Sequence, residues 1–448
     1  MIRLRVSEAA RAVGGEWTGD DATFQGCATD SRTVASGALF VALPGTRVDG
    51  HDFLGQARQQ GAAAALVSRV VAADLPTVRV ADTRRALGEL ATHWRGRFDL
   101  PLIGVTGSNG KTTVKEMIAA ILRQVGPTLA TEGNLNNDIG VPLTLVRLGP
   151  EHRFAVVELG ANHPGEIAGL CAVARPGVGV ITQCAPAHLE GFGSVEGVAR
   201  ATGEIIQGLP ASGTAVINAD DAFAGLWSRL AGQRPRVTFG LDRSADVTAR
   251  WMPEGAGSRV SMATPAGAIG LYLPLPGRHN VMNALAAVAA ALAVGIPPDA
   301  IVAGLESVGP VKGRLQLREA HGMRVLDDTY NANPGSVAAA LAVLAAFPGA
   351  RWLALGDMGE LGASSEDYHR QVGQLAREAG VERLFALGRL AGLAAEGFGA
   401  GARRFPSHQA LIEALRQEAS AAPATLLVKG SRSMTMERVV EALVRREG

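Results

Sequence analysis

The sequence predicts an α/β protein with three domains: a small α/β N-terminal domain, a central domain with a mostly parallel sheet, and a C-terminal domain like the dinucleotide fold. The 448 residues exceed what one hydrophobic core usually supports. An apolar strand at 102–105 leads into a glycine-rich loop and a helix with one apolar face. Beyond residue 314, strands that end in Gly or Asp loops alternate with helices, which is typical of a doubly wound sheet.

The composition indicates a globular protein and argues against several classes. Hydrophobic residues make up 47% and charged residues 19%, and the net charge of +1 without a basic block predicts no nucleic-acid partner and no membrane surface. The longest apolar run, 284–294, is too short to cross a bilayer, and residues 1–8 contain no apolar signal segment. Three scattered cysteines fit neither a disulfide framework nor a zinc site. We expect a cytoplasmic protein that acts as a monomer.

Residues 1–82 are predicted to form the first domain, with a strand at 38–43 and a helix at 53–60. Its polar clusters, 29–32 and 46–52, combine hydroxyls, an arginine and loop glycines. Such loops suit a diphosphate or a nucleoside, and they equally suit turns and helix caps. A helix at 82–98 then leads into the central domain.

The central domain, predicted at 83–313, is built around one phosphate-binding loop, which consists of Gly107, Ser108, Asn109, Gly110, Lys111, Thr112 and Thr113. Glycines let the backbone curl around an anion, and the following helix offers free N–H groups. Lys111 can reach the β- and γ-phosphates of a nucleotide, and Thr112 can hold Mg²⁺. The spacing is not the standard one, because Val105 stands where the first glycine would be. A glycine turn that only joins strand to helix is the alternative.

Lysine is rare in this chain, and each lysine is therefore informative. Of 43 basic residues only four are lysine: Lys111, Lys115, Lys312 and Lys429. Because arginine serves for routine solvation, a lysine is more often expected to act as a compact charge for phosphate. Lys111 fits this idea, whereas Lys115 is predicted to be an ordinary exposed residue.

Polar side chains follow several strands of the predicted central sheet. Glu158 ends a buried strand, and a carboxylate at that edge can bind Mg²⁺, although caps and surface residues are common alternatives. His188 lies in the loop after another strand, where it can join a metal or phosphate site or pack structurally. The loop at 133–142 carries amides that can contact a polar ligand: Asn134, Asn136 and Asn137.

The end of the central domain contains an antiparallel patch, predicted at 236–275, and a helix that begins near Gly277. Asn280 and Asn283 share one face of this helix and could meet a nucleotide base. A hinge at 311–315 leads into the third domain, predicted at 314–448. Its glycines at 356, 359 and 362 do not match G-x-G-x-x-G, which argues against an NAD(P) oxidoreductase.

Taken together, these motifs resemble those of the ATP-dependent Mur ligases of peptidoglycan synthesis. The likeness covers nearly the whole chain, and its main stretches are 30–32, 39–43, 49–53, the phosphate loop, 134–142, 158–162, 187–189, 277–286, 313–314, 327–334, 356–358 and 429–433. The D-N-P-[RA] signature of the family members that add diaminopimelate or lysine is absent. The resemblance is therefore closest to members that add D-Ala-D-Ala.

The resemblance implies a function for each domain. The first would bind UDP, the second would bind ATP and Mg²⁺, and the third would bring the incoming amine. The substrates would be UDP-N-acetylmuramoyl-tripeptide and D-Ala-D-Ala, joined through an acyl phosphate. Another amino-acid ligase of the folylpolyglutamate type is the nearest rival, and a GTPase-like switch is disfavoured because no N-K-x-D-like motif is present.

The resemblance also implies residue roles. Lys111 would neutralise phosphate charge, Thr112 and Glu158 would hold one Mg²⁺, and His188 would serve a second. Adenine and ribose would be held by Asn283, Arg314 and Asp328. The UDP side would be contacted by Ser31, Arg47 and His51. For D-Ala-D-Ala the sequence offers Lys429 and Arg432, which could equally begin a helix.

One position departs from the family pattern. Family members carry a carbamylated lysine before Gly-Glu-Ile, whereas this chain has Thr202, and threonine cannot form a carbamate. Our hypothesis is that His188, water and Glu204 hold the second Mg²⁺, without any need for bicarbonate. A degenerate, inactive homologue is the alternative.

Overall fold

The computed structural model describes residues 1–46, 48–71, 74–320, 322–419 and 424–444. The elements follow one another in three stretches of chain, each with its own main sheet. In the described ranges, no helix combines the length and apolarity needed to cross a bilayer.

The N-terminal stretch forms a five-stranded sheet in the order β2-β7-β6-β5-β4 and a two-stranded pair, β1-β3. Its elements are β1 (Arg3–Arg5), α1 (Val6–Ala12), β2 (Glu16–Thr18), β3 (Thr23–Gln25), β4 (Cys27–Ala28), β5 (Leu39–Val41), α2 (Leu54–Gln59), β6 (Ala64–Val67), β7 (Thr77–Arg79) and α3 (Thr83–Arg95). Asp82 caps α3, because its Oδ1 accepts from the N–H groups of Arg84 at 2.8 Å and Arg85 at 3.1 Å. The cap explains why α3 begins where the sequence predicts.

The central stretch forms a six-stranded parallel sheet in the order β13-β12-β11-β8-β10-β9. Its elements are β8 (Leu102–Thr106), α4 (Lys111–Arg123), β9 (Thr128–Ala130), α5 (Gly140–Leu145), β10 (Phe154–Glu158), α6 (Glu166–Ala174), β11 (Val178–Ile181), α7 (Leu189–Phe192), α8 (Val195–Gln207), β12 (Thr214–Asn218), α9 (Ala224–Ala231), β13 (Arg236–Phe239), β14 (Thr248–Glu254), β15 (Gly257–Thr264), β16 (Gly267–Leu273), α10 (Arg278–Ala293) and α11 (Pro298–Glu306). Strand β8 lies between β10 and β11, so the loop after β8 has a strand end on either side.

The two faces of this sheet bury different helices. Val156 and Val180 belong to the core that contains α4, α10 and α11, whereas Val157 and Ile181 belong to the core that contains α3, α6 and α8. The second core also includes Ile2 and the apolar residues on one face of the N-terminal sheet, such as Leu39 and Leu66. The predicted boundary between residues 82 and 83 therefore crosses one continuous core, and it remains a prediction.

The antiparallel patch is smaller than the sequence predicted. β14, β15 and β16 form a three-stranded antiparallel sheet, but β13 pairs in parallel with β12, with Ala215 opposite Arg236. The strand 236–239 follows a helix rather than a tight turn, and a helical crossover returns the chain in the same direction.

The C-terminal stretch forms a second six-stranded sheet in the order β17-β18-β22-β19-β20-β21, in which only the edge strand β17 is antiparallel. Its elements are β17 (Gln316–Ala320), β18 (Met323–Asp328), α12 (Pro334–Ala345), β19 (Ala350–Gly356), α13 (Ser365–Glu378), β20 (Arg383–Leu387), α14 (Ala391–Phe398), β21 (Ala402–Phe405), α15 (His408–Ala419), β22 (Ala424–Lys429) and α16 (Glu437–Val444). Helices cover both faces, as predicted for a doubly wound sheet.

Lys115 is buried, and the prediction of an exposed residue is wrong. Its side chain has 0% exposure, and Nζ donates to the carbonyl oxygen of Thr131 at 2.8 Å and to the carboxylate of Glu116. The Lys115 side chain reaches the backbone of Thr131, just after β9, whereas its neighbour Glu116 remains partly exposed. Lys115 joins α4 to the segment that follows β9.

We predict that Lys115→Ala lowers the free energy of unfolding by ~2–4 kcal/mol, because it leaves a cavity and an unpaired buried carbonyl. Lys312, which is exposed, provides the matched control, and Lys312→Ala should change stability by less than about 0.5 kcal/mol. Urea denaturation followed by circular dichroism measures both. Equal losses for the two variants would contradict the structural role of Lys115.

Candidate active site

The phosphate loop lies between β8 and α4 and has the shape that its glycines permit. Gly107 has φ +133° and Gly110, the residue before α4, has φ +84°, and these values favour glycine. A Cβ added at Gly107 would lie 2.1 Å from Thr182 Oγ1, and a Cβ added at Gly110 would lie 2.5 Å from Asn283 Oδ1. Both backbone conformation and space therefore require glycine at these two positions.

Lys111 begins α4 and folds its side chain back over the loop. Its Nζ donates to the carbonyl oxygens of Gly107 at 2.6 Å and Ser108 at 3.3 Å. Burial lowers the pKa of Lys111, the carboxylate of Glu158 opposes this shift, and the charge of Arg314 adds to it. An ammonium group held mainly by neutral carbonyls would be stabilised further by anionic phosphate oxygens.

The segment after β11 fastens the loop to the sheet. The Ser108 N–H donates to the Gln183 carbonyl at 2.8 Å, and Ser108 Oγ donates to the Ala185 carbonyl at 3.1 Å. Thr182 Oγ1 donates to the carbonyl of Asn109 at 2.6 Å. The backbone of the loop is thus held in place by the neighbouring strand end.

Glu158 lies at the end of β10, in register with Val105 on β8. It is 2% exposed, and its Oε1 accepts from Asn136 Nδ2 at 2.7 Å. Its other oxygen, Oε2, is buried and has no hydrogen-bond partner in the described part of the chain. An unpaired buried carboxylate oxygen beside the phosphate loop fits the preference of Mg²⁺ for hard oxygen ligands.

The loop at 133–142, here called the amide loop, places its three asparagines along the cleft described below. Asn136 holds Glu158, whereas Asn137 Oδ1 accepts from the N–H of Gly140 at 2.9 Å at the start of α5. The carbonyl of Asn134 accepts from the N–H of Asn136 at 2.7 Å, and its own side chain is exposed. The loop therefore combines one residue that orients Glu158 with others that face open space.

Arg314 connects the C-terminal stretch to the phosphate loop. Its Nη2 donates to Thr112 Oγ1 at 3.3 Å, and its guanidinium carbon lies 4.2 Å from the centroid of the Tyr330 ring. Stacking on an aromatic face suits the planar guanidinium and fixes its orientation. Arg314 thus brings a positive charge to the same end of the loop as Lys111.

Lys429 pairs with Asp328 across adjacent ends of β22 and β18. The Nζ–Oδ2 distance is 2.5 Å, and Nζ also donates to the Asn331 carbonyl at 2.8 Å. Burial lowers the pKa of Lys429, and the charge of Asp328 opposes that shift. Asp328 Oδ1 accepts from the N–H of Leu315 at 3.2 Å. Lys429 therefore pairs with Asp328 at the lining of the cleft described below, and its contact with D-Ala-D-Ala remains a prediction.

His188 lies in a left-handed conformation, with φ +51°, just before α7. Its Nδ1 is 2.5 Å from Glu360 Oε2, and this close contact with His188 lowers the pKa of Glu360. Across the described ranges, no three or more His, Cys, Asp or Glu side chains are grouped so that they could hold a metal ion. The role of His188 at a second metal remains a prediction.

Helix α8 accounts for Thr202 and Glu204. Thr202 Oγ1 donates to the Val198 carbonyl at 2.9 Å, one turn earlier in the same helix. The two carboxylate oxygens of Glu204 accept from the N–H groups of Gly165 at 2.7 Å and Ala168 at 3.0 Å. Glu204 thus caps α6 and does not face the cleft, contrary to its suggested part in holding a second Mg²⁺.

Of the three residues predicted for the UDP side, Ser31 and His51 are not among those that line the cleft described below. Both ring nitrogens of His51 are used internally: Nδ1 is 2.6 Å from Asp49 Oδ1, and Nε2 accepts from the N–H of Ser68 at 2.8 Å. Ser31 is buried, and Arg47 lies outside the described residues. Contact of this group with UDP remains a prediction.

A single large cleft unites the nucleotide-side residues. Its volume is about 1260 Å³, and α3 of the N-terminal stretch, the phosphate loop, the amide loop, α10 and the C-terminal stretch all line it. This exceeds the roughly 300–1000 Å³ of common small-molecule pockets. Predicted residues that line it are Ser108, Asn109, Gly110, Lys111, Thr113, Asn134, Asn136, Asn137, Glu158, His188, Asn280, Asn283, Arg314, Asp328, Lys429 and Arg432. Gly107 and Thr112 are not among its lining residues.

Two residues of the cleft were not predicted from the sequence. Asn333, which caps α12, exchanges two hydrogen bonds with Asn109 of the phosphate loop. His279 lies on the first turn of α10, and burial lowers its pKa to about 4, so its imidazole is neutral. The Asn-Pro pair at 333–334 signals a helix start, but nothing in the sequence indicates its partner.

Comparison with known proteins accounts for this arrangement. Three family models match the chain: Mur ligase family, catalytic domain, at residues 23–95; Mur ligase middle domain at 105–291; and Mur ligase, glutamate ligase domain, at 313–432. The UDP-N-acetylmuramoyl-tripeptide--D-alanyl-D-alanine ligase of Escherichia coli (strain K12) is 48% identical over 447 residues, which is 99% of each chain. The enzyme of the same name from Bacillus subtilis (strain 168) is 34% identical over 99% of each chain.

Solved structures agree with the sequence relatives. A crystal structure of MurF from Acinetobacter baumannii has a TM-score of 0.94 and 37% identity, with all of both chains covered. MurF ligase from Thermotoga maritima, in complex with ADP, has a TM-score of 0.82 and 28% identity over 94% of this chain and 97% of that one. The chain belongs to the Mur ligase family.

Proposed function

We propose that this protein is the ATP-dependent ligase that joins D-Ala-D-Ala to UDP-N-acetylmuramoyl-tripeptide, and that it forms ADP, phosphate and the pentapeptide precursor of peptidoglycan. The main support in the structure is that Lys111 of the phosphate loop feels the charge of Glu158, whose second carboxylate oxygen is buried without a partner in the described ranges. The choice among family members rests on the named relatives, which cover the whole length of the chain.

The reaction needs a better leaving group than a carboxylate can provide. A tripeptide carboxylate oxygen would attack the γ-phosphorus of ATP, forming an O–P bond while the bond to the bridging oxygen breaks and ADP leaves. The amine of D-Ala-D-Ala would then attack the acyl carbon, forming a C–N bond. The C–O bond to phosphate breaks, and the nitrogen loses a proton. Such chemistry depends on positioning and charge stabilisation rather than on a protein nucleophile.

The residues of the cleft suit these two tasks. The N–H groups of the phosphate loop and the ammonium of Lys111 would stabilise negative charge on the β- and γ-phosphates, and Arg314 would add a second fixed cation. Thr112 and Glu158 would hold Mg²⁺, which when bound supplies further positive charge at the phosphates. Asn283, Arg314 and Asp328 line the cleft, and they would hold adenine and ribose.

Several finer expectations belong to the same proposal. The three domains would divide at 82/83 and 313/314, and Ser31, Arg47 and His51 would lie on the UDP side. The protein would act as a monomer. A cytoplasmic enzyme making this precursor would support cell-wall growth, cell shape and division.

Phosphate release from ATP tests the function directly. With UDP-N-acetylmuramoyl-tripeptide present, we expect D-Ala-D-Ala to drive turnover, and D-Ala or meso-diaminopimelate to drive none above the background. Turnover with another amine would favour a different amino-acid ligase. ATP binding without turnover by any amine would favour a degenerate homologue.

We predict that Glu158→Gln lowers kcat by roughly 10²-fold or more, because a neutral amide keeps the shape but loses the charge that would hold Mg²⁺. Glu132→Gln, at an exposed carboxylate outside the cleft, is the matched control and should stay within about twofold of the wild type. Thermal unfolding of both variants checks that the fold is kept. A Glu158→Gln enzyme with near-normal turnover at low Mg²⁺ would overturn this role.

We predict that turnover does not depend on bicarbonate, because Thr202 cannot be carbamylated and its hydroxyl bonds within α8. Rates measured in carbon-dioxide-depleted buffer and in buffer with added bicarbonate should agree within experimental error. Sodium chloride at equal ionic strength serves as the control. A sharp rise caused by bicarbonate alone would contradict this prediction.

A further inference from the structure

The side chains of Asn109 and Asn333 form a reciprocal amide pair between the phosphate loop and the C-terminal stretch. Asn333 Nδ2 donates to Asn109 Oδ1 at 2.8 Å, and Asn109 Nδ2 donates to Asn333 Oδ1 at 3.3 Å. The two residues are 224 positions apart. Asn333 is 9% exposed, so water competes weakly for the pair.

The cap of α12 fixes the orientation of the Asn333 amide. Asn333 Oδ1 accepts from the N–H of Ser336 at 2.8 Å, and the Asn333 N–H donates to Ser336 Oγ at 3.0 Å. This capping box fixes Oδ1 at the helix end, because a flipped amide would leave the Ser336 N–H without its acceptor. The Nδ2 donor must therefore point towards Asn109.

Within the phosphate loop, this contact holds the side chain of Asn109 and not the backbone. The backbone around Asn109 is held by Thr182 and by the bonds of Ser108, all within the central stretch. The Asn109 side chain, in contrast, is bonded from the C-terminal stretch, beside the contact of Arg314 with Thr112. Without Asn333 the loop backbone can thus keep its shape, but the Asn109 amide loses the hydrogen bonds that orient it.

We propose that Asn333 is a positioning residue for the phosphate loop. It sets the direction of the Asn109 amide at the nucleotide phosphates, and it does so only while the C-terminal stretch is docked on the loop. This inference rests on the proposed function, in which phosphoryl transfer takes place at this loop. Asn333 itself acts through Asn109 and not on the reacting atoms.

Asn333→Ser tests the inference without removing the helix cap. Serine caps a helix about as well as asparagine does, but its hydroxyl is too short to pair with Asn109. We expect kcat/KM for ATP to fall about three- to tenfold, the range for one neutral hydrogen bond, with a similar loss of ADP affinity by calorimetry. The thermal midpoint should change by no more than ~2 °C.

A double-mutant cycle identifies the partner. Asn109→Ala should cause a comparable loss, and Asn109→Ala combined with Asn333→Ser should be no worse than the more affected single variant. Ser336→Ala is the matched control for the helix end, since it removes the other half of the capping box and leaves the amide pair in place. Its kcat/KM should stay within about twofold of the wild type.

The outcomes separate this inference from the proposed function. If Asn333→Ser keeps both kcat/KM and ADP affinity within twofold, or if the two losses multiply in the double variant, Asn333 does not position Asn109. If the wild type binds ADP but no amine supports turnover, the proposed function fails. The ADP affinities of the variants still decide whether the amide pair shapes the loop.

Discussion

The site depends on charged groups that are withdrawn from water without a full set of partners. Lys111 is held mainly by neutral carbonyls, and one oxygen of Glu158 is buried with no partner in the described ranges. Keeping such groups desolvated is costly unless a ligand of the right charge completes them. The rest of the fold holds these groups in place. Two adjacent strand ends carry the phosphate loop and Glu158, neighbouring atoms leave room only for glycine at two loop positions, and the C-terminal stretch covers the loop.

Much of this could be predicted, because strand ends and glycine loops are local features. Glu158 and most residues of the phosphate loop line one cleft, since parallel strands bring their carboxyl ends to one edge, and the roles of these residues remain predictions. The exposure of Lys115 was predicted wrongly, because the period of a helix gives a face but not what lies against it. The parallel pairing of β13 was missed for a similar reason, since direction depends on the crossover and not on the strand's own residues.

Other features could not be read from the chain at all. Nothing near Asn333 specifies Asn109, because their contact depends on how two sheets are placed relative to each other. Lys429 offers a second example. As a lysine in a glycine loop it suits a substrate carboxylate, but register pairs it with Asp328 on the adjacent strand. His51 is a similar case, because a residue type that is common in ligand sites here has both ring nitrogens in contact with other residues of the fold.

The apolar core shared by the N-terminal sheet and one face of the central sheet bears on how the chain is made. This core joins Ile2 to residues as distant as Ala231, and the N–H of Ile2 bonds to the carbonyl of Val146 at 2.6 Å. During synthesis, the first hundred or so residues leave the ribosome before the strands and helices that cover their apolar surface exist. That apolar surface stays uncovered until more than half of the chain has been synthesised, and a chaperone that binds apolar segments would protect it during this time.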